Sequence, residues 1–323
     1  MPVTVVRFNL AEPGATPASL SARYRAALEM AAYADEHGVT TVQTEEHHGA
    51  DDNWLPSPFT FAGAVLGATR RIAVTVAAAI GPLHDPLRLA EEIAVLDLLS
   101  GGRLVTVAGI GYRPEEYALF GVDRRRRGRL QDELLETLLK AWTGEEFGYR
   151  GRTVRLTPRP YTEPHPPLLV GGSSRAAARR AARLGLPFFP SAHLPEPAGY
   201  YEERLAEYGT EGWTMMPAAE NPLLHLFEDP DRTWAEYGGH FLHEARTYAS
   251  WQSGGTRSAV RSAAATVRDL RAEGVYRVLT PEQCVRLGLD GLVLHPLVGG
   301  MPPAEGWRSL RLFAERVVPA LAG

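Results

Sequence analysis

A chain of 323 residues with 45% hydrophobic content can bury a large core, enough for one barrel or two modest domains. Its net charge of -4 argues against general attraction to nucleic acid or acidic membranes, and its single cysteine, Cys284, excludes an internal disulfide and a thiolate metal cluster. The opening MPVTVVRFNL is too short and too weakly charged at its start to read as a secretory signal, and no apolar run approaches the ~20 residues of a membrane span. A cytoplasmic protein without nucleic-acid or membrane partners is the expectation.

Taken in chain order, β-rich runs alternate with helical patterns, as in repeated βαβ units. Eight strands are expected at Val3–Phe8, Thr40–Thr44, Ile72–Ala77, Leu104–Ala108, Leu168–Val170, Pro187–Phe189, Gly212–Met216 and Gly291–Leu294. Ser57-Pro58, Asp85-Pro86 and Thr280-Pro281 each put an N-cap residue before a first-turn proline, and Thr280 with Gln283 spells a capping box. Gly38 and Gly185 stand where helices should end. Arg124 to Arg127, followed by Arg129, read as the opening of a solvated helix, although arginines there could also meet a phosphate. Eight strands with intervening helices predict an α/β fold, a closed (β/α)8 TIM barrel forming one domain over residues 1–323. The rival, an open doubly wound sheet, predicts a glycine fingerprint after the first strand, where this chain has Asn9-Leu10-Ala11-Glu12. Two stretches break the alternation: about 145–166, containing a hairpin around Gly148 and Gly151, and 209–266, with an amphipathic helix near Trp234–Tyr248 and a polar tract around Ser253–Ser258 suited to a lid or an oligomer contact.

Chemistry concentrates at Thr41–Gly49, TVQTEEHHG, where an alternating run ends in two carboxylates and two imidazoles at a strand tip. Adjacent side chains on a strand end point to opposite sides, so only one of His47 and His48 faces a barrel mouth. A histidine there could carry protons near neutrality, or simply be a core histidine bonded to backbone. Glu45, Glu46, His47 and His48 make a poor metal set, because the side chains of consecutive ligands diverge; no metal is expected. Ala77, Ala78 and Ala79 end the third strand with little bulk, fit either for approach of a flat ring or for packing a helix. Gly171-Gly172-Ser173-Ser174 opens a helix, where free N–H groups and hydroxyls can hold an anion or merely form a capped turn. Gly109, Gly111 and Tyr112 could supply a second wall of the same pocket. Asn9, Glu46, Trp54 and His295, at or after strand ends, are candidate substrate-pocket residues. His240 and His243, three apart, share a helical face.

The ordered set of features resembles the bacterial luciferase-like family of flavin-dependent monooxygenases and oxidoreductases. It runs from Glu46-His47-His48 through Leu66-Gly67-Ala68-Thr69, Ala77-Ala78-Ala79, Pro82, His84, Pro86 and Ala90-Glu91-Glu92. It continues with Leu96 to Arg103, Gly109-Ile110-Gly111-Tyr112, Phe120-Gly121, Gly171 to Ser174 and Ala181 to Pro187, nearly the whole chain. The resemblance implies a (β/α)8 barrel with an insertion, a homodimer, and reduced FMN or a deazaflavin at the carboxyl ends of the strands. It selects His47 as the catalytic residue and implies a cis peptide at Ala77-Ala78. Ala77, Ala78, Gly109, Gly111, Tyr112, Gly171, Gly172, Ser173 and Ser174 would then line the cofactor. Where luciferase proper has a reactive cysteine followed by a phosphate-binding arginine, this chain has Gly109 and Ile110, which argues against light emission and leaves Arg127, Arg129 or Arg175 to compensate. The expected reaction is a two-component monooxygenation of a small organic substrate with dioxygen and reduced FMN from a separate flavin reductase. The alternatives are hydride transfer with a deazaflavin and a flavin binder without turnover.

Overall fold

The protein is described by a computed structural model covering residues 2–252 and 257–321; residues 253–256 of the expected polar tract lie outside the described residues. In chain order it begins with β1 (Val3–Phe8), α1 (Pro17–Glu36), β2 (Thr41–Thr44), α2 (Pro58–Ala68), β3 (Ala73–Ile80), α3 (Pro86–Ser100) and β4 (Leu104–Gly109). Next come α4 (Pro114–Leu119), α5 (Arg127–Trp142), β5 (Phe147–Tyr149), β6 (Arg152–Val154), β7 (Leu168–Gly172), α6 (Arg175–Leu184), β8 (Phe188–Pro190) and α7 (Pro195–Tyr208). The chain continues with β9 (Leu223–Leu226), α8 (Pro230–Trp251), α9 (Val267–Glu273), β10 (Tyr276–Leu279), α10 (Pro281–Val285), β11 (Gly291–Leu294) and α11 (Pro303–Leu312). The class is the expected one, α/β with parallel strands separated by helices in the order of a (β/α)8 barrel.

Local chemistry sets the boundaries. The Asp85 carboxylate accepts from the backbone N–H groups of Leu87 and Arg88 to start α3, and Thr280 and Gln283 cap α10 reciprocally. Gly185 ends α6 in the left-handed region at φ 64°. The hairpin of β5 and β6 turns through Arg150 and Gly151, both at positive φ, as a two-residue turn matched to strand twist requires.

The chain forms two compact units. The first comprises Met1–Pro56, Ala68–Ile72 and Pro217–Gly323, and its strands run parallel in the order β10, β9, β11, β1, β2. Helix α8 lays Trp234, Phe241 and Ala245 on Leu223, Tyr276 and Val278 in its core. Burying Trp234 or Phe241 contributes about 2 kcal/mol each. The second unit, Ser57–Gly67 and Ala73–Met216, pairs β3, β4, β7 and β8 in parallel.

One expected strand is absent and two are unexpected. Gly212–Met216 makes only a single parallel bridge, Thr214 to Phe188, bonded through Phe188 N to Trp213 O and Met215 N to Phe188 O. Pro217, which has no N–H to give, follows at once and prevents a ladder. The ladders form instead at β9 and β10, each of four residues. Elsewhere the expected strands occur with ends moved by at most a few residues, β3 extending to Ile80.

Asp35, in the last turn of α1, is 7% exposed and accepts three backbone hydrogen bonds, from Arg70 (2.8 Å), Arg71 (2.9 Å) and Ile72 (2.6 Å). Asp35→Ala removes both accepting oxygens and leaves the three N–H donors to find others. A loss of about 2–4 kcal/mol, read as a lowered urea midpoint with unchanged slope, is the expected outcome.

Candidate active site

In the first unit a buried carboxylate gathers the ends of several strands. Glu244, on the inner face of α8, accepts from Arg7 Nη1 at 2.9 Å, Asn9 Nδ2 at 2.8 Å, His295 Nε2 at 2.8 Å and the backbone N–H of Gly299 at 3.2 Å. The Tyr276 hydroxyl donates to it at 3.4 Å. The other side of the Arg7 guanidinium grips Glu45 in a fork, Nε to one carboxylate oxygen and Nη2 to the other at 3.0 Å. Arg7 lies near the carboxyl end of β1 and Asn9 just beyond it, Glu45 follows β2, and His295 follows β11, so parallel register brings them to one end.

Burial decides the electrostatics here. It would lower the Arg7 pKa, but Glu45 and Glu244 outweigh it and hold the guanidinium charge even more firmly than usual. Burial likewise pushes Glu244 up, yet His295 and Arg7, with hydrogen bonds from His295 and Asn9, bring it below the ordinary carboxylate range. His225, on β9, is pushed well below 6.5, first by burial and then by His295, with Glu244 opposing. Tyr276 is raised by burial and by the neighbouring Glu244 charge. His225 Nε2 and His295 Nδ1 are buried without a hydrogen-bond partner among the described residues. Their rings lie 6.4 Å apart.

His47 is buried among aromatic rings, with centroids 4.7 Å from Trp251, 5.6 Å from Trp54 and 6.1 Å from Tyr248. Trp54 stacks on Tyr248 at 6.0 Å, and the Arg7 guanidinium sits 6.0 Å from the Trp54 ring. His48 differs: its Nε2 bonds Glu46 at 2.9 Å. Asn9 and His295 are thus brought together through Glu244, and His47 and Trp54 by ring contact, while Glu46 is turned to His48. His240 and His243 are used structurally, the first bonding Gly299 O at 2.9 Å and the second Asp52 at 3.0 Å.

In the second unit three strand tips lie almost without side chains. The Ala77-Ala78 peptide is cis, both residues are half-buried, and a Cβ on Gly109 would lie 2.9 Å from that of Ala78. A Cβ on Gly171 would meet Val107 at 2.9 Å and reach Gly109 at 3.8 Å, so β3, β4 and β7 come together here through backbone and methyl groups. Gly111, at φ 69°, packs under Ile80, beside half-buried Tyr112. Past β7, Gly172 and Ser173 lead into α6, whose N-cap Ser174 accepts from Ala177 N. Arg175 is occupied by Glu196, while Arg127 bonds Arg124 O.

These features coincide with a match to the family model for luciferase-like monooxygenases over residues 3–286. The chain belongs to that family. An uncharacterised protein of Sinorhizobium fredii is 31% identical over 173 residues, 52% of this chain and 49% of that one. An FMNH2-dependent dimethylsulfone monooxygenase of Pseudomonas putida is 29% identical over 169 residues, 50% of this chain and 46% of that one. The chain spans about half the length of these curated relatives. A solved monooxygenase, RslO1 from Streptomyces bottropensis, superposes with a TM-score of 0.76 at 26% identity, over 98% of this chain and 99% of that one. The luciferase-like fold therefore extends through the chain, and a flavin-type cofactor is the group against which the residues must be judged. They fit one: the bare tips at Ala77, Ala78, Gly109 and Gly171 would be filled by any larger side chain, and α6 offers a helix N-terminus for a phosphate.

Arg7, His225, Glu244 and Tyr276 went unforeseen as site residues. Two carried a readable signal: Arg7 interrupts the apolar strand VTVVRF, and Glu244 stands on the stripe of Phe241 and Ala245 where an apolar residue belongs. Below pH 6.5 an unfolded chain protonates His225 while the folded one resists, so stability falls with pH from that point; Glu244 adds a further loss as pH drops below 4.5 toward its lower folded value. Urea midpoints from pH 7.5 to 5 should decline for the natural chain and decline less for His225→Gln, which does not titrate.

Proposed function

We propose that this protein is a two-component flavin monooxygenase that takes reduced FMN from a separate reductase and uses dioxygen to oxygenate a small organic substrate. The observation carrying this reading is the pairing of family membership with bare strand tips at Ala77, Ala78, Gly109 and Gly171, which suit a flat ring. A relative of 29% identity whose name specifies FMNH2 supports FMN over a deazaflavin. Reduced flavin supplies the electrons that activate dioxygen. Ala77, Ala78, Gly109, Gly111 and Tyr112 would hold the ring, and the N–H groups opening α6, with Gly172, Ser173 and Ser174, its phosphate.

His47 is the proposed proton carrier, held in a water-poor wall of Trp54, Tyr248 and Trp251. Asn9 and His295 would contact substrate, with Trp54 and Glu46 completing its surroundings. A homodimer is proposed as the working assembly.

An anaerobic titration against reduced FMN and a reduced deazaflavin tests the cofactor. Reduced FMN should bind more tightly; preference for the deazaflavin would move the protein to hydride transfer, and binding of neither would sink the flavin reading. His47→Ala should leave affinity for reduced FMN within about twofold and lower oxygenation of an accepted substrate roughly 10²- to 10⁴-fold. Retained turnover would remove His47 from the chemistry.

A further inference from the structure

The densest unused chemistry is the Glu244 cluster. The carboxylate reaches two of the proposed substrate-contacting side chains, Asn9 and His295, and is itself held by Arg7, Gly299 and Tyr276. All the side chains in this group are buried. We propose that Glu244 is the positioning residue of the site, fixing His295 as the Nε2–H tautomer and thereby making Nδ1 a hydrogen-bond acceptor for a hydroxyl or amine N–H on the substrate.

Donors and acceptors fix the tautomer. An ionised carboxylate only accepts, so the nitrogen facing it, His295 Nε2 at 2.8 Å, must carry a hydrogen. Once the imidazole has given up its second proton it has one N–H, and placing that on Nε2 leaves a lone pair on Nδ1. That atom is buried and has no partner among the described residues, whereas buried acceptors are nearly always satisfied. His225 Nε2, in the neighbouring ring, is in the same condition. Both lie toward the end of the strands where Asn9 and Glu45 also sit, so a substrate donor is the chemistry that completes them. The groups around His295 that bear on its proton are Glu244 from α8, Arg7 from β1, His225 from β9, Tyr276 from β10 and, beyond Arg7, Glu45. Glu244 alone among them contacts Nε2 directly.

Glu244→Gln supplies the test. Its amide has one accepting oxygen and two N–H donors, set among the donors of Arg7, Asn9, Gly299 and His295. The amide oxygen is expected to stay with Arg7, whose charge makes the strongest demand, turning the N–H group toward His295. His295 then answers by moving its hydrogen to Nδ1, so that Nε2 accepts. Long-range ¹⁵N–¹H NMR of histidine-labelled protein, free of any cofactor, reads this directly: Nε2–H for His295 in the natural chain and Nδ1–H in Glu244→Gln, each resonance assigned through its loss in His295→Gln. Nδ1–H in the natural chain, or an unchanged tautomer in a folded Glu244→Gln, would overturn the proposal and leave Glu244 a structural residue.

The substrate clause rests on the monooxygenase reading and has its own readout. With a substrate that bears a hydroxyl and is turned over by the natural chain, His295→Gln, which keeps a donor to Glu244 but puts its one acceptor on an amide oxygen away from the Nδ1 position, should lower kcat/KM roughly ten- to a hundredfold. Adding Glu244→Gln should then cost little more, because one acts through the other. Fully additive losses would overturn the coupling. If Glu244→Gln does not fold, the natural-chain tautomer and the His295→Gln kinetics still decide. Failure to bind reduced FMN would count against the flavin reading and leave the tautomer result standing.

Discussion

A guanidinium buried between two carboxylates organises the first unit. Arg7 binds Glu45 through one edge and Glu244 through another, and none of the three reaches solvent appreciably. Moving these charges out of water is costly, and their mutual attraction offsets it only while the geometry is kept. The cluster therefore ties α8 to β1 and to the segment after β2, and through Asn9 and His295 to the tips of β1 and β11. Replacement of one member would strand a buried charge on another, which typically costs 3–5 kcal/mol.

That constraint accounts for the differing states of the nearby titratable groups. Glu244 stays ionised despite its burial because five donors surround it. His225, whose ring lies 6.4 Å from that of His295, is raised by Glu244 too, but burial and His295 outweigh it and the ring stays neutral. Like burial thus leaves one group charged and the other neutral, decided by which residue meets a partner of opposite charge. The cluster has two carboxylates against one guanidinium, so it favours hydrogen-bond donors at its edge, and the imidazole of His295 is the one that completes it.

The second unit solves a different problem. Where the first gathers polar atoms, β3, β4 and β7 remove side chains, so that a Cβ added at Gly109 or Gly171 would crowd Ala78 or Val107. Such bareness lowers local stability, since small residues bury little apolar area. In a member of the luciferase-like family it is intelligible as room for a planar cofactor, with the helix N-terminus at Ser174 placed for an anion.

Much of this was legible in the chain. Alternating βαβ patterning, the proline-initiated helices at Pro58, Pro86 and Pro281, and the glycine stops at Gly38 and Gly185 are local signals, set by dihedral preference and by donors and acceptors within four residues. The sequence by itself determined the fold class, most strands, the hairpin near Gly151 and, through ordered resemblance, the family and the Ala77-Ala78 cis peptide. It did not place Gly212–Met216, whose apolar pattern suits a strand but whose neighbours and Pro217 permit one bridge only. Nor did it reveal β9 and β10, which are as short as β2 and β11; β9 is buried on both faces and so shows no alternation. Only the tertiary structure decided that Arg7, Asn9, Glu45, Glu244 and His295 share one network. Glu244 stands 237 residues from Arg7, and a bond across that separation depends on the parallel pairing of β9 with β11 and β11 with β1, which no local preference encodes.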